Sequence, residues 1–168
     1  MKIIKRYVPS QLSINNKSKQ IRELIKSRKL YKRGIFYSRP KISSFKNKKS
    51  NHVKLAKKLY NIDSMNNLKQ LSSSTGCSVK SLQKIISKGM GAYYSSGSRP
   101  SQTAHSWGIA RLASSISSGK SAAVDYKILE KGCKKNSKAL LLAKKAKLKY
   151  GTGTRKVPKI DIRKIEHS

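Results

Sequence analysis

Catalytic chemistry has little to work with in this sequence. Its six carboxylates, Glu23, Asp63, Asp125, Glu130, Asp161 and Glu166, stand singly along the chain, whereas a metal-dependent phosphodiester enzyme needs clustered carboxylates to hold its ion. Asp125 and Glu130 are five positions apart and do not share a helical face. Cys77 and Cys133 show no zinc-site spacing with His52, His105 or His167. Nothing local pairs either thiol with His105 as nucleophile and base. Gly119-Lys120-Ser121 looks like the end of a nucleotide-binding loop, but residue 114 is Ser where that pattern requires Gly. No catalytic residue, metal, cofactor or small-molecule substrate is expected, and two cysteines alone read as free thiols in a reducing compartment.

The chemistry the sequence does carry is cationic. Lys and Arg number 40 against 6 acids, a formal charge of +34 on 168 residues. Such a charge repels itself and calls for a polyanion, most commonly nucleic acid. Lys outnumbers Arg 31 to 9, which fits the codon bias of an AT-rich genome as much as any mechanism. The candidate anion contacts fall into three groups. Arg28, Lys29, Lys32, Arg33 and Arg39 lie in the N-terminal stretch. Lys80, Lys84 and Lys88 line one side of a predicted helix. Tyr93, Tyr94 and Arg99 belong to a Gly- and Ser-rich loop over residues 90–100, with Arg111 and Lys120 beyond it. Glycine amides and serine hydroxyls in that loop suit an anion, Arg99 supplies a fork, and the tyrosines could stack on bases.

The elements that must position these residues are mainly helical. Residues 1–60 hold 19 bases and 1 acid, residues 61–132 hold 9 and 3, and residues 133–168 hold 12 and 2. This distribution reads as a helical module over 52–150, between a basic arm at 1–51 with one short helix and a basic extended tail at 151–168. Ile3 and Ile4 suggest a short strand before Pro9. Ile21, Leu24, Ile25 and Leu30 recur at helical spacing over 19–29, and residues 35–49 form an extended basic strap around Pro40. A helix is expected over 52–60. Another is capped by Asp63 or Ser64 and contains Met65, Leu68 and Leu71. Thr75-Gly76 then makes a turn, and Ser78 caps a helix with Val79, Leu82, Ile85 and Ile86 inward, closed by Gly89. Two short helices around a glycine turn outline a possible helix-turn-helix, with a plain helical hairpin as the alternative. Three more helices follow, over 101–118 with Trp107 as core anchor, over 122–131, and over 134–149. The tail alternates Ile160, Ile162 and Ile165 with polar residues and is extended or disordered unless it adds a strand to a partner.

Two stretches are familiar. Residues 6–62 resemble the lysine-rich N-terminal half of a poorly characterised protein family of nucleocytoplasmic large DNA viruses. Residues 75–133 resemble a small domain of those viruses and of some tailed phages. Its motifs here are Lys88, Gly89, Gly91, Ala92 and Tyr93, the loop Ser96 to Pro100, Ser106-Trp107 with Ala110-Arg111, and Gly119-Lys120 followed by Asp125. The resemblance implies a viral setting and no established activity.

The expectation is therefore a non-enzymatic virion protein that binds nucleic acid, DNA rather than RNA, and serves packaging or condensation in the virus factory or nucleus. If every net charge met one phosphate, one chain would offset roughly 17 base pairs. The alternative is a minor capsid or internal-scaffold protein whose arms strap acidic capsid proteins. The longest apolar run is five residues, 139–143, far short of a bilayer span. The N-terminus lacks the apolar stretch of a secretory signal, and a membrane-surface partner is the weakest of the binding readings.

Overall fold

The computed structural model describes residues 1–151 and 157–162. The mainly helical fold is found: among these residues are eight α-helices, one 3-10 turn (Lys5–Tyr7) and two three-residue strands. The chain divides into two compact units. One comprises Met1–Lys48, Gly91–Ala104 and the described part of Lys156–Ser168; the other comprises Lys49–Met90 and the described part of His105–Arg155. The boundaries expected at 51/52 and 150/151 do not coincide with these units, because the supposed arm, the loop and the tail are gathered into one of them.

In that first unit, β1 (Lys2–Ile4) pairs antiparallel with β2 (Lys159–Asp161), Ile3 opposite Ile160. The tail thus adds its strand to its own chain. Ile165 of the alternating pattern lies outside the described residues, as do residues 152–156. Helix α1 (Ile14–Tyr31) is longer than expected because Ser13 caps it, its hydroxyl accepting the Asn16 N–H at 3.3 Å. The predicted stripe turns inward at Ile21 and Leu24, which are buried, with Ile25 and Leu30 half-buried. Residues 35–49 contain no helix, as expected of a strap, yet Ile42 and Arg39 within it are buried.

The second unit holds α2 (Asn51–Tyr60), α3 (Leu68–Thr75), the part of α4 (Val79–Ser95) up to Met90, α5 (Ala104–Ile116), α6 (Lys120–Val124), α7 (Tyr126–Gly132) and α8 (Lys138–Tyr150). Helix α3 begins later than expected: Asn67, not Asp63 or Ser64, accepts the Gln70 N–H at 3.1 Å, and Met65 is buried ahead of the helix. Leu71, Leu82, Ile85, Leu112, Ile116 and Leu129 are fully buried and form the centre of the core. Trp107 is only half-buried and stands outside that core, so it is not the anchor its size suggested. The expected helix over 122–131 is two helices, broken at Asp125.

Gly89 does not close α4. A Cβ there would lie 2.6 Å from the Gly108 Cα, and one on Gly108 would lie 2.7 Å from the Ile86 carbonyl oxygen. The two glycines let α4 and α5 cross at backbone contact, so α4 runs on through Gly89 and Gly91 to Ser95. Much of the loop expected over 90–100 is therefore helix. What remains irregular is residues 96–103.

The cysteines are not free. Cys77, in the turn after α3, forms a disulfide with Cys133, at the end of α7, 56 positions away. The pair sits in a two-residue antiparallel bridge, flanked by Ser78 N–H to Gly132 O at 2.7 Å and Lys134 N–H to Gly76 O at 2.9 Å. Spacing alone misled here, because the turn and the helix end meet only in the fold. A closed loop of this length stabilises by roughly 4 kcal/mol through the unfolded chain. Urea unfolding with and without a thiol reductant should show the midpoint falling on reduction, and Cys133→Ser should reproduce the shift. An unchanged midpoint would mean the backbone bridge alone holds the turn.

Candidate nucleic-acid interface

The structure sorts the predicted contacts into cations used inside the fold and cations left on its surface. The largest internal group centres on Asp125, whose side chain has no exposed surface. Its Oδ1 accepts from Lys88 Nζ at 2.9 Å and from an Arg111 terminal nitrogen at 2.8 Å, and its Oδ2 from Arg111 Nε at 2.8 Å and Ser115 Oγ at 3.1 Å. Arg111 thus makes the two-pronged contact of a guanidinium with a carboxylate. Burial by itself pushes the Asp125 carboxyl up. The hydrogen bonds and charges of Arg111 and Lys88 outweigh it and hold the group below the ordinary carboxylate value. Lys88 and Arg111 were expected to face an anionic ligand; the anion they face belongs to the chain.

Arg39 and Tyr93 are likewise internal. Arg39 is buried, and its guanidinium donates to Ser27 Oγ at 2.8 Å, to the Tyr93 carbonyl at 2.9 Å and to Ser98 Oγ at 2.7 Å. It also stacks 3.7 Å from the Tyr93 ring centroid, while its backbone N–H donates to the Tyr93 hydroxyl at 3.1 Å. Tyr93 is 1% exposed and cannot stack on a base. No carboxylate neutralises this guanidinium among the described residues; neutral oxygens and a ring face hold it instead, and burial lowers its pKa from the ordinary arginine value.

The serine-rich loop is a receiver of cations, not of anions. Arg28 donates to the Ser96 carbonyl at 2.7 Å and to the Lys2 carbonyl at 3.2 Å, and Gln20 donates to the Ser98 and Tyr7 carbonyls. The amides of Ser96 and Gly97 both bond the Ala92 carbonyl, finishing α4. Gly97 takes φ +99° and leaves no room for a Cβ beside Leu24 and Tyr7. The Ser96 and Gly97 amides and the Ser98 hydroxyl, donors expected to cradle a phosphate, are therefore committed within the fold. Tyr94 is half-buried, stacked on Tyr31 at 6.1 Å and edge-on to Phe36 at 5.2 Å.

Surface exposure remains for Lys29 on α1 and Lys32 and Arg33 in the turn just past it, for Lys80 and Lys84 on α4, for Arg99 in the loop and for Lys120 at the start of α6, and Lys88 stays partly exposed while paired with Asp125. On α1 the structure adds two residues that the sequence reading passed over. Arg22, Lys26, Lys29 and Arg33 recur at steps of four, three and four, and with Ile25 and Leu30 they line a shallow groove. This stripe runs about 10 Å along the helix from Arg22 to Lys29, with Arg33 in the turn that follows. Its periodicity is readable in the sequence, beside the denser charge nearer Gly34. The acid in this stretch, Glu23, accepts a hydrogen bond from the Tyr37 hydroxyl at 2.7 Å.

Residues 5–138 match a family of unknown function, DUF5824, and the chain belongs to that family. No curated protein and no solved structure matches it.

Breaking the Asp125 cluster should be costly. Asp125→Asn would leave two cations facing a neutral amide in a buried site, a loss of about 3–5 kcal/mol by calorimetry or chemical unfolding. The pH dependence follows from the depressed pKa. Asp125 contributes its stability fully above its unfolded value near 3.8, and that contribution disappears as pH falls through the folded value below it. The acid limb of a pH–stability curve should flatten in Asp125→Asn, and an unaltered limb would mean the carboxylate is not coupled to folding.

Proposed function

We propose that this member of the family is a non-enzymatic nucleic-acid-binding protein that coats or condenses DNA within a virion. The observation that carries the reading is the fate of the few acids. Asp125 is consumed by Lys88 and Arg111, and Glu23 is bonded by Tyr37. The exposed Lys and Arg therefore face solvent in large excess over any acid that could neutralise them. The α1 stripe supports the reading with geometry. Over the helical part of its length one strand of a duplex presents about three phosphates, at one per 3.4 Å of axis.

The virion setting and the factory or nuclear location rest on the resemblance of residues 6–62 and 75–133 described above. Strapping of acidic capsid proteins is the less favoured reading, since it needs free strand-forming arms and Lys159–Asp161 is already paired with Lys2–Ile4.

Deleting residues 1–51 is a poor test of this proposal, because those residues carry buried Ile3, Tyr7, Leu12 and Leu24. Replacing Arg22, Lys26, Lys29 and Arg33 by Gln keeps the helix and removes four charges. The log–log slope of duplex affinity against salt should then become shallower by roughly 3 to 4, at about 0.9 per phosphate contact. A slope that does not change would take α1 out of the interface. A parent protein with no salt-dependent binding would remove the function itself.

A further inference from the structure

We propose that α3 and α4 form a helix-turn-helix that reads duplex DNA in the major groove through Val79, Lys80, Gln83, Lys84 and Ser87. This rests on the nucleic-acid reading above and deepens it from coating to recognition.

The geometry begins with the turn. Helix α3 ends at Thr75, Gly76 takes the left-handed conformation at φ 72°, and its N–H caps the helix on the Ser72 carbonyl. Three residues later α4 starts, with the Ser78 hydroxyl accepting the Ser81 N–H at 3.2 Å. A three-residue turn with a glycine is the connection this motif uses. Leu71, Thr75, Cys77, Leu82 and Ile85 from both helices and the turn are all at most 2% exposed. One side of the pair is therefore core.

The opposite side of α4 is open. Lys80, Gln83, Lys84 and Ser87 are exposed and stand at steps of three, one and three, a single stripe along the helix. Val79, 42% exposed, begins it. No Asp or Glu occurs between residues 64 and 124 to repel a phosphate. Lys88, one position past Ser87, is drawn off to Asp125, so the stripe ends where the ion cluster starts.

The turn is also fixed from outside. The Cys77–Cys133 disulfide and the two backbone bonds beside it hold the start of α4 against the end of α7. They place Lys134 next to Gly76, where it can meet a phosphate flanking the groove. A helix presented rigidly loses less entropy on binding than one that must order first.

Charge complementarity selects a nucleic acid, and shape selects DNA. An α-helix with its side chains is about 10–12 Å across and enters a B-form major groove about 12 Å wide. The A-form major groove of duplex RNA is too narrow for it. The side chains suit base edges: Gln for adenine, Lys for guanine, and the valine methyls for thymine.

The test is selection of the full-length protein on a pool of duplex DNA with a randomised centre, followed by competition titrations. The wild type should enrich a short common site and bind it about tenfold or more tighter than its scramble, within the range one base-pair discrimination provides. Gln83→Ala and, separately, Lys84→Ala should each collapse that ratio toward one. Both positions are exposed, and an unchanged melting temperature would show that the variants fold. Lys127→Ala, an exposed lysine on α7 that is not part of this stripe, should keep the ratio, and the duplex RNA version of the site should show none. Salt-dependent binding without any enriched site overturns the recognition helix and leaves the coating function standing. An enriched site that survives both substitutions also overturns it. Absence of duplex binding overturns both readings.

Discussion

Asp125 lies at the break between α6 and α7 with no exposed side-chain surface, and Lys88 from α4 with Arg111 and Ser115 from α5 closes on it. A carboxylate buried without such partners would cost several kcal/mol or take up a proton. With them it binds three helical segments at one point. Beside this cluster α4 and α5 cross at Gly89 and Gly108 in backbone contact, which neither position would allow with a Cβ. Residues 88, 89, 108, 111 and 125 act as one construction, which gives a physical reason for motifs that are scattered along the chain.

The cost of this construction is visible elsewhere. With one acid spent inside, the other internal cations must be stabilised without counter-charge. Arg39 is held by two hydroxyls, a carbonyl and the face of Tyr93, and Arg28 by two carbonyls. Neutral oxygens accept from both guanidinium groups and leave the charge uncompensated, and the buried Nε of Arg28 has no hydrogen-bond partner among the described residues. The excess is carried on exposed lysines and arginines, among them those of α1, α4 and α8, where a polyanion can neutralise it without disturbing the interior.

Much of this fold was legible from apolar spacing. The inward faces of α1 and of α4 from Leu82 onward follow the sequence pattern, because helices bury stripes at fixed intervals, whereas Val79, expected inward, is 42% exposed at the first position of α4. What escaped was long-range. Gly89 reads locally as a helix stop and proves to be a crossing point only when Gly108, nineteen positions on, is set beside it. Cys77 and Cys133 have no local pattern that distinguishes a disulfide from two thiols. The same limit governs the site: Lys80, Lys84, Lys29, Lys32 and Arg33 were rightly placed outside, whereas Lys88, Arg111, Arg39 and Tyr93 look equally suited to a ligand until their internal partners are known. Tyrosine and arginine serve a core or a phosphate equally well, and sequence cannot say which is nearer.

The most direct test is residue-resolved. Lysine acetylation read by mass spectrometry, on the free protein and on its complex with duplex DNA, reports each ammonium separately. The account predicts strong protection at Lys26 and Lys29 on α1 and at Lys80 and Lys84 on α4, with Lys127 equally reactive in both states. Protection spread evenly over every exposed lysine, or none at all, would contradict a defined interface and leave only a diffuse positive charge.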